Sequence, residues 1–384
     1  MEIEKLPEDL LAEILWRLPV KLLLRSKSVC KNWYSLIQNP SFISLHHNRT
    51  TTSISAAENN CLLVNRFLSG GNGSIILSFV PHETPTEDID ISFTGLDVSN
   101  KLLLLGPCNG IVCLTRYGFN SPIVICNPSI REFRVLPEPS YKKDYFANLG
   151  FGFDHFKNDY KVVKFDCVNP DFSDLGTDER IEIYDLSTDS WREVDTVSPV
   201  EFGFRCRFGP CTWDGDCYWY TFCPGYHAKE VGQMSEGLIL NRLRHSPFAL
   251  DFKTRDKTSS SLICGVLYEQ REWFPGRDFS FNKCFDIWVM AMDEQSVEVS
   301  WTKRYSIGPL HAPNFALGFR QNGEFLLESG GGQMMSYHLD TRQIKEYQLY
   351  GHSPPECLQV LPYTESLVSV KRHNEHDGHA ELHI

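Results

Sequence analysis

Nowhere in the 384 residues is there an uninterrupted apolar run of the roughly 18 residues that a membrane-spanning helix needs, so no span is expected. The opening MEIEKLPEDLL carries acids and no apolar stretch ending in small residues, and it does not read as a secretory signal. The two Asn-x-Ser/Thr sequons, at Asn48 and Asn72, are therefore not expected to be glycosylated. No Gly-x4-Gly-Lys-Ser/Thr loop is present. The glycine-rich GGNGS at 70–74 and SGGGQ at 329–333 lack its lysine and read as turns. There is no Gly-x-Ser-x-Gly elbow and no His-Glu-x-x-His helix, so no catalytic residue is expected. The 13 cysteines contain no Cys-x-x-Cys pair. Their densest group, Cys206, Cys211, Cys217 and Cys223, is spaced as in no common zinc site, and reduced, buried thiols of a cytosolic protein are expected. His373, His376, His379 and His383 lie among Asn, Glu, Asp and Gly and read as a frayed tail, residues 371–384. No metal and no other cofactor is expected.

What the chain does have is apolar and aromatic mass, 42% and 12% of residues, enough for a sizeable core. Its net charge of −12 is unevenly placed: residues 1–50 carry +2 and the remainder −14. An acidic body repels nucleic-acid phosphate and anionic membrane, and it attracts a basic partner.

The first fifty residues carry a helical period. Pro7 sits in a first turn, with Glu8 and Asp9 complementing the helix start. Leu10, Leu11, Ile14, Leu15 and Leu18 then share one face. Pro19 ends that helix and opens the next, which carries Leu22, Leu23 and Leu24. A third segment, about 28–37, sets Val29, Cys30, Trp33, Leu36 and Ile37 on one side, and Pro40 closes it. Three short helices cannot bury all of this among themselves. The excess must cover the rest of the chain or a partner, at roughly 1.5–3 kcal/mol for each large side chain buried.

From residue 61 the period changes to that of strands. Residues 61–65, 74–80, 101–105, 111–115 and 123–126 read as strands, and Asn109-Gly110, Asp214-Gly215 and Asn322-Gly323 read as hairpin tips. A unit of strand, polar turn and aromatic strand recurs. It appears as ICNPSIREFRVL at 125–136 and IYDLSTDSWREV at 183–194, then more weakly at 249–257, 288–305 and 337–349. Its starts are 58, 66, 39 and 49 residues apart. With a degenerate copy near 75–90, this points to propeller blades, with the aromatics packed between neighbours. A β-sandwich or an irregular barrel is the other reading. Residues 222–247 form a long connection with room for two or three helical turns, and the copy at 249–257 lacks its aromatic.

The string LPEDLLAEILWRLPVKLLLRSKSVCKNWYSLIQNPSFI resembles an F-box over nearly its whole length, in its Leu-Pro opening, Ile-Leu pair, second Leu-Pro and Val-Cys-Lys-x-Trp ending. GPCNGIVCL, ICNPSIREFRVLP, GFGFDHFKNDYKVVKF, IYDLSTDSWREV and CTWDGDCYWY resemble, in order, the plant F-box-associated domain. SLIQNPSFISLHHNRT, WTKRYSIGPL and TESLVSV are most similar to the S-locus F-box proteins of pollen. The resemblance implies an α+β chain: a three-helix F-box (residues 1–45), a linker (46–60) and an all-β, kelch-like domain (61–370) that selects the target. It implies that the F-box binds a Skp-family adaptor and, through it, the cullin and RING subunits of an SCF ubiquitin ligase. The implied docking residues are Leu6, Pro7, Leu10, Ile14, Leu15, Leu18, Pro19, Leu23, Val29, Cys30 and Trp33. On this basis Leu15→Asp with Pro19→Ala should abolish adaptor capture. The implied target is a basic pistil ribonuclease, the non-self S-RNase, met in the pollen-tube cytosol, with the nucleus as a second compartment. A general receptor for another protein, a glycan-reading receptor and an enzyme built on a propeller are the other readings. Trp213 and Trp219, which a glycan groove would expose, read as strand core.

Two acidic segments are candidate target contacts because complementary charge speeds the approach of a basic ligand. Residues 82–98 hold Glu87, Asp88 and Asp90, and residues 166–180 hold Asp171, Asp174, Asp178 and Glu179. Phe172, Tyr226 and Phe274 are candidate loop anchors.

Overall fold

A computed structural model describes residues 7–52 and much of 61–371. The longer stretches outside the described residues are 53–60, 90–101, 167–179, 195–210, 222–238, 244–261, 268–281 and 372–384. Four helices come first: α1 (Glu8–Leu15), α2 (Val20–Ser26), α3 (Lys31–Ile37) and α4 (Pro40–Thr52). The prolines explain the breaks. Pro7 and Pro19 stand just ahead of α1 and α2 in extended conformation, and their carbonyls accept the first helical bonds, from Leu11 N–H and Leu23 N–H. Pro40 corrects the reading from sequence. The third helix already ends at Ile37, and Pro40 occupies the first turn of a fourth. Asn39 caps that helix, its Oδ1 accepting from Ser41 N–H at 2.8 Å. Helix α4 runs past the expected boundary at residue 45 and into the stretch read as a linker.

Twenty-two strands follow among the described residues, in six antiparallel sheets. Sheet 1 contains β1 (Cys61–Leu68), β2 (Ser74–Val80) and β3 (Glu87–Ile89), and its outer place beside β1 is filled by the last strand, β22 (Gln359–Tyr363). Sheet 2 is β4 (Leu102–Cys108), β5 (Ile111–Arg116), β6 (Ile123–Asn127) and β7 (Glu132–Val135). Sheet 3 is β8 (Ala147–Asp154), β9 (Asp159–Asp166), β10 (Arg180–Asp185) and β11 (Ser190–Val194). Sheet 4 has β12 (Cys211–Trp213), β13 (Asp216–Thr221) and β14 (Ile239–Leu243), so part of the long connection forms a strand. Sheet 5 has β15 (Leu262–Leu267), β16 (Asn282–Met292) and β17 (Val299–His311). Sheet 6 is β18 (Pro313–Phe319), β19 (Phe325–Ser329), β20 (Met334–Tyr337) and β21 (Ile344–Glu346). The copy at 249–257 lies outside the described residues.

Sheets 1, 2 and 6 are apolar on both faces because each packs between two others. On β1, Leu63 joins a core shared with sheet 2, while Leu62 and Val64 join one shared with sheet 6. On β5, Val112 and Leu114 face sheet 1, whereas Ile111 and Cys113 face sheet 3. On β19, Leu326 turns to sheet 1 and Phe325 and Leu327 to sheet 5. A strand sends alternate side chains to opposite faces, so two buried faces turn the expected alternation into a near-continuous apolar run.

The recurrent turns share a geometry. Arg131, Asp189 and Arg342 occupy equivalent places and all take a positive φ, 54°, 53° and 58°. In two of the three the side chain that opens the turn bonds the backbone inside it, while in the third Ser187 N–H donates to Asp159 Oδ1 at 2.9 Å. Asn127 Oδ1 accepts from Ser129 N–H at 3.0 Å, and His338 Nδ1 accepts from Thr341 N–H at 3.2 Å. Two of the following aromatics pack between sheets as expected. Trp191 donates to Pro137 O at 2.7 Å, and Tyr347 is buried in the core between sheets 6 and 1. Phe133 differs, remaining partly exposed on the edge strand β7.

Sheet 3 also encloses a charged group. The buried Lys161 ammonium pairs with Asp185 and lies 3.6 and 3.7 Å from Asp159 and Asp154. Burial raises the Asp185 pKa, but its bonds to Lys161 and Arg192 outweigh that and hold the carboxyl below its ordinary value.

Candidate functional site

The helical unit gathers a small core that Leu367 and Ile130 of the β domain help to close. Leu15, Val20, Leu23, Ile37 and Phe42 are buried together, with Leu11, Leu18, Leu24, Trp33 and Leu36 packed around them. His46, on α4, is held against the end of α1 by a 2.9 Å contact from Nε2 to Leu18 O.

That core separates the implied docking residues into two sets. Leu15 and Leu23 are 1% and 0% exposed and belong to internal packing, so Leu15→Asp would put a charge into that core. Leu18 and Trp33 are half-buried at its rim. Pro7, Leu10, Ile14, Pro19, Val29 and Cys30 are exposed. Leu6 lies outside the described residues. Leu10, Ile14 and Val29 keep 49%, 50% and 61% of their surface in water. Leu22, Tyr34 and Leu45 are exposed as well and were not among the implied contacts. Leu45 belongs to α4, whose start Pro40 concealed in the sequence, and Leu22 sits in a triple leucine run in which spacing alone does not say which one is inside.

Of the acidic candidates, Glu87 and Asp88 fall among the described residues. Asp88, on the edge strand β3, accepts two bonds from the Arg66 guanidinium, at 2.7 and 2.8 Å, and one from Ser78 Oγ at 2.6 Å. Asp88 is thus ion-paired within the sheet while its side chain stays 46% exposed. Glu87 lies on the same strand. Asp90, Asp171, Asp174, Asp178 and Glu179 lie outside the described residues, as do Phe172, Tyr226 and Phe274.

Burial disfavours the thiolate at four of the described cysteines. Burial pushes the Cys61 and Cys108 pKa values up to about 12, and those of Cys113 and Cys126 higher still. Cys30, at the start of α3, is exposed.

A helical unit with a closed core and an uncovered apolar row, joined to a scaffold of stacked sheets, has the construction of an interaction protein. Comparison with known proteins agrees. Residues 3–45 match the F-box domain, and residues 82–370 match the F-box associated beta propeller domain. F-box protein At3g07870 of Arabidopsis thaliana is 25% identical over 394 residues, covering 91% of this chain and 88% of the relative. Putative F-box protein At3g16210 is 30% identical over 56% of this chain and 54% of its own length. Putative F-box/kelch-repeat protein At3g17540 is 24% identical over 79% and 73%. Both come from the same plant. The chain belongs to the plant F-box proteins that carry an F-box associated domain. Such proteins generally act as substrate receptors of SCF ubiquitin ligases, and the F-box implies binding to the Skp-family adaptor. They are typically non-catalytic subunits. None of the described helices is long and apolar enough to cross a membrane.

Proposed function

We propose that this chain selects targets for an SCF ubiquitin ligase in the pollen-tube cytosol, and that its target is a basic ribonuclease, a non-self S-RNase. The helical unit docks on the adaptor through Pro7, Leu10, Ile14, Pro19, Val29 and Cys30, with Leu22, Tyr34 and Leu45 as further members of the face. The six sheets act as propeller blades whose connecting loops carry target recognition, and residues 371–384 form a tail. The observation that carries the ligase half is the concentration of exposed apolar surface on the short helical unit, which holds Leu10, Ile14, Leu22, Val29, Tyr34 and Leu45, six of the ten exposed large apolar side chains among the described residues. The S-RNase half rests on the resemblance of the quoted segments and on the charge of −14 beyond residue 50, which steers a basic ligand. Catalysis is by proximity: the receptor holds target and conjugating enzyme together.

Affinity purification of the tagged full chain from pollen tests both halves. Recovery of adaptor, cullin and a basic pistil ribonuclease is expected after incubation with style extract. Adaptor and cullin without the ribonuclease would retain the ligase reading and end the S-RNase reading. Recovery of neither adaptor nor cullin would overturn both.

A further inference from the structure

The chain after β22 runs as an irregular segment, yet Ser366, Leu367 and Val370 within it are buried. We propose that residues 364–370 are a positioning strap, which locks the helical unit to the β domain in one orientation and so fixes how a bound target is presented. The consequence for presentation rests on the adaptor-docking reading above; the locking itself does not.

Three anchors make the strap. At its start, the buried Tyr363 hydroxyl donates to Gly110 O at 2.9 Å and lies 2.7 Å from Ser129 Oγ. In its middle, Asn127 Nδ2 donates to Ser366 O at 3.0 Å and to Val368 O at 2.8 Å. These carbonyls have no strand partner, and one side chain supplies both bonds, which is what lets an irregular segment lie buried. At its end, Val370 is fully buried in the core between sheets 2 and 3. Between the anchors, Leu367 points the other way. It is 4% exposed and completes the helical core beside Leu15, Val20 and Leu23. One seven-residue stretch therefore belongs to both cores.

The surroundings leave the strap one path. Gly110, at φ +75°, is the second residue of the Asn109-Gly110 hairpin, and a Cβ there would come within 2.2 Å of the Ser366 Cβ. Nothing larger than glycine lets the strap pass over this turn. Ser369 Oγ donates to Glu132 Oε2 at 2.5 Å, and Glu132 in turn acts electrostatically on Lys27, the residue after α2. Ile130, in the turn between β6 and β7, packs beside Leu367 against the same helices. Within sequence, residues 53–60 are the direct tether between the two units, and the strap makes a second, packed connection from the opposite end of the chain.

The test asks which connection sets the orientation. A genetically encoded spin label is placed at Ser35 on α3 and at Glu193 on β11, both exposed, and the distance distribution is measured in the full chain. The strap account expects one narrow distribution, unchanged when a twelve-residue Gly-Ser stretch is inserted within 53–60. It expects Leu367→Ser to broaden the distribution at least twofold. If Leu367→Ser unfolds the helices by circular dichroism, Asn127→Ala takes its place, since it frees the strap without entering the helical core. A distribution that stays narrow in the folded strap variant, or that broadens on inserting the linker alone, would overturn the proposal. Failure of the wild-type chain to bind adaptor would end the docking reading and leave the distance result standing.

Discussion

Strand β6 and helix α1 both carry large aliphatic side chains and treat them in opposite ways. All five residues of β6, Ile123–Asn127, are buried, with alternate side chains reaching the sheets on either side. Helix α1 buries Leu15 but leaves Leu10 and Ile14 about half in water. A sheet between two sheets is complete within this chain. A helix on the rim of a four-helix unit is complete only when something else covers it, and that incompleteness is the physical content of the receptor reading.

The comparison can be broken or sharpened by substitution. The largest effect is expected inside the closed region. Lys161→Met strands Asp154, Asp159 and Asp185 around a lost cation, and should cost about 3–5 kcal/mol in denaturant unfolding of the β domain. Next, Leu15→Ala should cost the helical unit about 2–5 kcal/mol, while Ile14→Ala, one residue away, should stay within about 0.5 kcal/mol. Equal costs in thermal melts followed by helical circular dichroism would erase the distinction between inner and outer rows. Asn39→Ala removes the cap of α4 and should cost about 1 kcal/mol by the same measurement.

The smallest effect is one of pH. Burial holds His46 below its ordinary value of 6.5; the Leu18 carbonyl opposes this and Arg49 adds to it. His47, beside it, is lowered by burial and by His46, while its bond to Asn109 opposes the shift. Both folded-state values lie below the unfolded one, so the unfolded chain takes up protons first. Their stability contribution is complete above about pH 6.5 and is lost as pH falls through that value towards the folded-state pKa. The helical melting temperature should therefore drop between pH 7 and 5, and His46→Gln should flatten the drop.

Much of the fold is legible in the sequence. The strand readings at 74–80 and 111–115 coincide with β2 and β5 because runs such as SIILSFV are bounded by turn residues. Asn109-Gly110 turns as expected, with φ of 49° and 75°. The turns opened by Asn127 and His338 are legible because the opening side chain bonds its own backbone. Pro40 misled because proline ends one helix and begins another with the same ring. The inner and outer rows of the helical unit were not separable either: Ile14 and Leu15 are adjacent, equally apolar and both within the helical stripe. Leu15 packs with Val20, Leu23, Ile37, Phe42 and the distant Leu367, a set assembled only by the tertiary fold. The ion pair of Asp88 is not legible in the sequence because Arg66 lies two strands away, brought near by the pairing of β1 with β2 and of β2 with β3.

The central claim is that the outer helical row exists to be covered by the adaptor. Calorimetric titration of purified adaptor into the full chain, wild type against Ile14→Asp with Val29→Asp, tests it most directly. The account predicts at least a hundredfold loss of affinity, equivalent to about 2.7 kcal/mol, with the melting temperature of the β domain unchanged. Undiminished affinity in that folded variant would contradict it.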